Sequence, residues 1–169
     1  ERIVVVVEGV EVSRTALLWA LQNVVRSGDI ITLLHVSPSS ETPSGHKKVR
    51  KSKMENENQR LSRLKGFHLA LSFKDLCDRV PDLKTEIIVT EGNEGPTIVS
   101  LVKKIGASAL ILGLHDQSFC CRILGRKGTS DYCVENSDCR VHAIKHNKRL
   151  VKQFFKHYRM ASKIKILQY

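Results

Sequence analysis

A continuous run of β-branched residues near the start of the chain constrains the fold most. Residues 2–7 read RIVVVV and are apolar from Ile3 onward. A strand with one face in water alternates apolar and polar residues, whereas a strand that is apolar on both faces is typical of a parallel sheet covered by helices on either side. The run therefore predicts a buried strand in an α/β fold.

The rest of the chain alternates between the same kind of strand pattern and helical spacing. Apolar runs predict strands over 30–36, 83–90 and 109–112, the last ending at Gly113, and an alternating run predicts an edge strand over 140–145. Helices are predicted over 12–26 with Ser13 as the N-cap, over 47–79, from Gly95 to Gly106, and over 129–136. This alternation of strands and helices is typical of a single doubly wound α/β domain, which we place at residues 1–146.

Composition excludes several classes of protein. The 169 residues are 41% hydrophobic and 27% charged, which is an ordinary globular balance. The longest apolar run has the length of a strand, so we expect no membrane span, and the first residues do not predict a secretory signal. The five cysteines are irregularly spaced without a CxxC pair, which predicts free thiols rather than a zinc site. We expect a cytoplasmic location, with the nucleus as a second compartment.

The positive charge is concentrated at the C-terminal end. Of the 28 lysines and arginines, nine lie between Arg140 and Lys165, and no acidic residue follows Asp138. Residues 147–169 are predicted to form a basic helix whose apolar side chains recur at helical spacing: Val151, Phe154, Phe155 and Tyr158. Such a helix could contact an anionic membrane or a protein partner, or it could pack on the domain or on a second copy. No RNA-binding aromatic motif accompanies it, so nucleic acid is not a predicted partner.

A glycine-spaced loop follows the fourth predicted strand. Residues 107–130 read ASALILGLHDQSFCCRILGRKGTS, so the strand ends in Gly113 and the loop ends in a hydroxyl pair at the start of a helix. Backbone N–H groups at such a place favour a bound phosphate. The adjacent His115 and Asp116 do not form a convincing catalytic pair, because neighbouring loop residues rarely point the same way and no nucleophile is placed beside them. We therefore predict no catalytic residues.

Several segments together resemble the universal stress protein family, in particular its plant-type members. The opening RIVVVVEGVEVSRTALLWALQNVVRSGDIITLLHV is similar to the family's first strand, acidic turn, first helix and second strand. Further similar pieces are the Glu91-Gly92 turn, the strand at 107–113, SDYCV at 130–134 and the strand opening at Cys139. The resemblance covers residues 1–146 and leaves out the basic tail.

The resemblance implies a five-stranded parallel sheet of order 3-2-1-4-5, often a homodimer through the last strand, and binding of ATP or AMP. In the family, an acidic residue after the first strand and a loop of the form G-x-x-G, a spacer, and G-(S/T) hold the nucleotide. Carried over to this chain, it implies these cofactor-binding residues: Glu8, Val36, Leu112, Gly113, Asp116, Gly125, Gly128, Thr129 and Ser130. It also implies a stress-response or signalling protein that is not an enzyme, or at most hydrolyses nucleotide weakly.

This chain departs from the family's motif in ways that bear on the nucleotide. Glu8 stands where the family usually has Asp, and Asp116 stands where it has the second glycine. The third glycine corresponds either to Gly125, slightly early, or to Gly128, slightly late. Asp116 adds negative charge where phosphate should lie, although three basic residues of the loop could offset it: Arg122, Arg126 and Lys127. The alternative is a scaffold of the same fold that binds no nucleotide and acts through its basic tail.

Overall fold

The structure is a computed structural model, which describes residues 1–39, 53–114 and 128–145. The strands are β1 (Arg2–Val6), β2 (Ile30–Ser37), β3 (Lys84–Glu91), β4 (Ala109–Leu114) and β5 (Arg140–Lys145). The helices are α1 (Val10–Asn23), α2 (Lys53–Leu71), α3 (Lys74–Cys77), α4 (Glu94–Lys104) and α5 (Thr129–Asn136). The predicted basic helix over 147–169 lies outside the described residues.

The five strands form one sheet of order β3-β2-β1-β4-β5, and every neighbouring pair is parallel. This is the order that the resemblance implied, and β5 lies at an edge, as its alternating pattern predicted. The central strand β1 pairs through Val5 with Leu33 of β2 on one side and with Ile111 of β4 on the other. The strand order therefore reverses at β1, because the chain adds β2 and β3 on one side of it and β4 and β5 on the other.

Two apolar clusters, one on each face of the sheet, account for the unbroken apolar run of β1. Ile3 and Val5 face a cluster that includes Leu17 of α1 and the buried Phe73 beside α3. Val4 and Val6 face the other cluster, which includes Ile98 of α4. Because side chains alternate along a strand, only a strand apolar at every position can serve both cores.

The structure corrects the bounds of three predicted elements. The first helix begins at Val10 with Gly9 as its N-cap and ends at Asn23, so Ser13 is not the N-cap. The predicted helix over 47–79 is two helices in its described part, α2 and α3, since the chain turns after Leu71 and buries Phe73. Strand β4 continues through Gly113 to Leu114 because its pairing with β5 extends to Lys145, so Gly113 does not end it.

Some properties that bear on function are visible in the described part of the chain. No described helix is both long enough and apolar enough to cross a membrane. The three cysteines placed there, Cys77, Cys133 and Cys139, are free thiols, as the sequence predicted. His35, expected to be a satisfied core histidine, brings its Nδ1 within 2.6 Å of the carbonyl oxygen of Val7. Each of these observations concerns residues 1–39, 53–114 and 128–145 only.

Candidate functional site

The candidate site lies at the carboxyl edge of the sheet, where β1 ends between β2 and β4. In open α/β sheets, ligands bind at the point where the strand order reverses, outside the carboxyl ends of the strands. Glu8 follows β1 at this point, and Gly113 lies near the end of the adjacent β4. The fold therefore brings two of the predicted cofactor residues to the same edge although they are far apart in the sequence.

A buried hydroxyl shapes the turn that carries Glu8. The Ser13 Oγ accepts hydrogen bonds from the backbone N–H groups of Glu8, at 3.0 Å, and of Gly9, at 3.3 Å. Ser13 lies one turn inside α1, so its hydroxyl reaches back to the chain that enters the helix. These bonds use two backbone donors that the start of a helix leaves without helical partners. Ser13 thus fixes the direction in which the chain leaves β1.

The Glu8 carboxyl group is half-buried and hydrogen-bonded to Glu94, at the start of α4. Burial, the charge of Glu94 and the hydrogen bond to it, in that order of size, together raise the pKa of Glu8 to about 7. A carboxyl group removed from water favours its neutral form, and a second carboxylate nearby adds to that preference. The pair therefore holds a proton readily near neutral pH.

Glu94 also connects this turn to α5. The hydroxyl of Thr129, the first residue of α5, donates to the Glu94 carboxylate with 2.7 Å between Oγ1 and Oε2. The N-terminal ends of α4 and α5 therefore meet at one carboxylate, and Glu8 is hydrogen-bonded to the same side chain. Sequence reasoning placed Glu8 and Thr129 in a site but missed Glu94, because it began the helix at the next residue, Gly95. Its position at the first turn of a helix after a strand is the signal that could have identified it.

Close backbone packing holds the ends of α4 and α5 together. A Cβ added at Gly95 would lie 2.9 Å from Cδ1 of Tyr132 in α5, so only glycine lets the two helices approach this closely. Cys133, one residue further along α5, is fully buried, and burial raises the pKa of its thiol to about 11, with Glu94 and Glu8 adding to the effect. The thiol is therefore protonated at neutral pH and is not a nucleophile in this arrangement.

Gly113 has a structural reason of its own to be glycine. A Cβ added there would lie 2.3 Å from Cγ1 of Val12 and 3.0 Å from its carbonyl oxygen. The first turn of α1 thus presses against β4 at this position. The glycine is needed for packing whether or not a ligand is bound.

The other predicted site residues occupy different surroundings. Val36 and Leu112 have exposed fractions of 7% and 1% and belong to the apolar cluster under α4, so their side chains pack in the core. Gly128 precedes α5, where its N–H donates to the Asp131 carboxylate at 3.1 Å, and Ser130 is half-buried in the first turn. Asp116 and Gly125 lie outside the described residues. Within the described ranges, no group of three or more histidine, cysteine or acidic side chains could hold a metal ion.

Several solved structures with the same fold are universal stress proteins. A universal stress protein family protein from Arabidopsis thaliana with AMP bound is 24% identical, with a TM-score of 0.62 over 88% of this chain and 93% of that one. UspA from Lactobacillus plantarum is 21% identical, with a TM-score of 0.62 over 85% of this chain and 96% of that one. A universal stress protein in complex with cAMP is 16% identical, with a TM-score of 0.53 over 87% of this chain and 98% of that one.

Sequence comparison assigns the family. None of the curated protein sequences compared with the chain matches it. The model of the universal stress protein family matches residues 1–145, which is the whole of the α/β domain up to the end of β5. With its sheet order and these structural relatives, the chain belongs to the universal stress protein family.

Proposed function

We infer that this chain is a stress-response protein that binds an adenine nucleotide, AMP or ATP, at the carboxyl edge of its sheet and acts by binding rather than by catalysis. The observation that carries the proposal is the convergence of Glu8 and Thr129, which both contact Glu94 although 121 residues separate them in the sequence. Both are among the residues that the resemblance assigned to the nucleotide site. One relative of the same fold has AMP bound and another is a complex with cAMP, which supports the choice of an adenine ligand.

The same observations favour nucleotide binding over a scaffold that acts only through its basic tail. The Thr129 hydroxyl at the start of α5 contacts Glu94, which is hydrogen-bonded to Glu8 after the end of β1, so a ligand that reaches one of these side chains could reach the others.

The proposal is tested by thermal shift and calorimetry with the full chain. AMP or ATP at millimolar concentration should raise the melting temperature, because a ligand that binds only the folded state stabilises it in proportion to the logarithm of its concentration. GMP serves as the control for adenine specificity. The proposal is wrong if neither adenine nucleotide shifts the melting temperature or releases heat. Continuous release of phosphate from ATP would contradict the assignment as a binding protein.

A further inference from the structure

The hydroxyl expected to hold phosphate already has an acidic partner within the protein. Thr129 donates to the Glu94 carboxylate at 2.7 Å, and the N–H of Gly128 donates to the Asp131 carboxylate at 3.1 Å. Both groups belong to the glycine-threonine pair at the start of α5. A phosphate that enters here must displace a carboxylate from a charge-assisted hydrogen bond, which is stronger than a bond between neutral groups.

Glu94 also supplies the negative charge that two helix ends attract. It is the first residue of α4 and accepts its bond from the first residue of α5, so it lies where the dipoles of both helices favour an anion. In a site built for several phosphates, this attraction is left for the ligand. Here the carboxylate of Glu94 interacts with the two helix ends instead.

A second acidic side chain reinforces the effect. Glu8 is hydrogen-bonded to Glu94 and half-buried beside it, and the negative charge of both acts on Cys133 in α5. Like charges at short range repel more strongly when they are partly removed from water. Each additional phosphate on a ligand therefore meets a larger electrostatic cost at this end of the site.

The backbone around Glu94 is held in place. Gly95 is buried, and a Cβ there would collide with Tyr132, so the starts of α4 and α5 cannot separate to make room without loss of packing. Gly92, just before α4, has φ +152°, and a Cβ there would lie 2.3 Å from the Thr97 hydroxyl. Movement of the Glu94 carboxylate away from a ligand is therefore expected to come from rotation of its own side chain rather than from separation of the two helices.

We propose that Glu94, with Glu8 beside it, is the specificity-determining residue of the nucleotide site and restricts its ligand to adenine nucleosides that carry at most one phosphate group, against ADP and ATP. The inference rests on the proposed function, since it concerns the ligand of that same site. It narrows the proposed ligands from adenine nucleotides in general to AMP and less charged adenine compounds.

The test measures the dissociation constants of adenosine, AMP and ATP by calorimetry for four chains: wild type, Glu94→Gln, Glu8→Gln and Glu57→Gln. The buffer contains no magnesium and is held at about pH 8, above the pKa of Glu8, so that the charges of the carboxylates and phosphates are not masked. The Glu57→Gln variant makes the same chemical change on an exposed position of α2 and serves as the matched control. Circular dichroism verifies that each variant is folded.

Wild type and the Glu57→Gln control should bind AMP at least about tenfold more tightly than ATP, which corresponds to one unit in the logarithm of the binding constant. Glu94→Gln should strengthen ATP binding, so that AMP binds at most about threefold more tightly than ATP. Glu8→Gln should also reduce the ratio of AMP affinity to ATP affinity. If Glu94→Gln does not fold, the ratio for Glu8→Gln decides.

Two results would overturn the inference and leave the proposed function intact: ATP bound by wild type as tightly as AMP, or an AMP-to-ATP ratio that neither substitution changes. If none of the three ligands binds to any of the four chains, the proposed function is refuted, and the inference with it.

Discussion

Replacement of Glu8 by glutamine should make the protein more stable at alkaline pH. The folded protein holds the Glu8 proton up to about pH 7, whereas the unfolded chain releases it near 4.5. Between these values the folded state binds more protons than the unfolded state, so the contribution of Glu8 to stability falls as the pH rises and is lowest above the folded pKa. Glutamine keeps the size and the hydrogen-bonding capacity of the side chain but cannot ionise.

The size of the effect follows from the shift in pKa. A rise from 4.5 to about 7 corresponds to roughly 3 kcal/mol, at about 1.4 kcal/mol per unit. Because Glu8 is half-buried rather than fully buried, solvent screening reduces the expected gain to about 2 kcal/mol. For a chain of this length that gain raises the melting temperature by about 4–8 °C. At about pH 5, where the folded protein keeps Glu8 protonated, the variant and wild type should differ little.

The assay is urea denaturation between about pH 5 and about pH 8, followed by circular dichroism and by the fluorescence of the single tryptophan, Trp19. Trp19 packs against His142 of β5 with 5.0 Å between ring centroids, so its emission reports on the contact between α1 and the edge strand. Glu57→Gln should follow the wild-type profile. If the stability of Glu8→Gln relative to wild type does not change across this range, the buried carboxyl pair does not have the properties derived above.

Three other perturbations test separate parts of the chain. Gly113→Ala should lower the free energy of unfolding by about 1–3 kcal/mol, as measured by urea denaturation, because the added Cβ collides with Val12. Val12→Ala in the same chain should restore part of that loss. If Gly113→Ala lowers the stability equally with and without Val12→Ala, the packing role is contradicted. Asp116→Gly should strengthen AMP binding in calorimetry, because it removes a negative charge from the predicted phosphate loop, and unchanged or weaker binding would count against that assignment. Truncation after Lys145 should abolish salt-sensitive binding to vesicles that contain anionic lipid while AMP binding persists; vesicle binding that survives truncation would place the membrane contact in the domain.

The pattern of apolar residues within each strand was sufficient to predict most of the architecture, because it indicates which faces of the strand are buried. The apolar run of β1 indicates two covered faces, and the alternation at 140–145 indicates the edge position that β5 occupies. Strand order came from the resemblance, since no pattern within a strand specifies its neighbours. Errors arose at the ends of elements. There, the start of a helix depends on contacts such as the hydrogen bonds that the Glu8 and Gly9 N–H groups donate to the Ser13 hydroxyl.

The candidate site was less accessible to sequence reasoning, because its central residue acts through contacts between distant segments. Glu94 is bonded to a residue at the end of β1 and to another at the start of α5, and the latter lies 35 positions away. Glutamate in the first turn of a helix is common for reasons of capping and dipole alone. Nothing in its local surroundings separates that ordinary role from a role at a ligand site. Glu94 is recognised as a candidate site residue only in the folded structure, because the parallel sheet brings the end of β1 and the starts of α4 and α5 to the same edge.

Gly113 and Thr129 therefore differ in what they indicate about a ligand. Gly113 matches the family's phosphate loop, yet the contact with Val12 requires a glycine there even if no phosphate ever binds. The bond from the Thr129 hydroxyl to Glu94, by contrast, is a polar contact that a ligand could replace. A chain of this fold that has lost nucleotide binding should thus keep the glycine and need not keep the hydroxyl. The proposal of a ligand rests on the polar groups of α5 and on Glu94, not on the glycine from which the phosphate loop was first inferred.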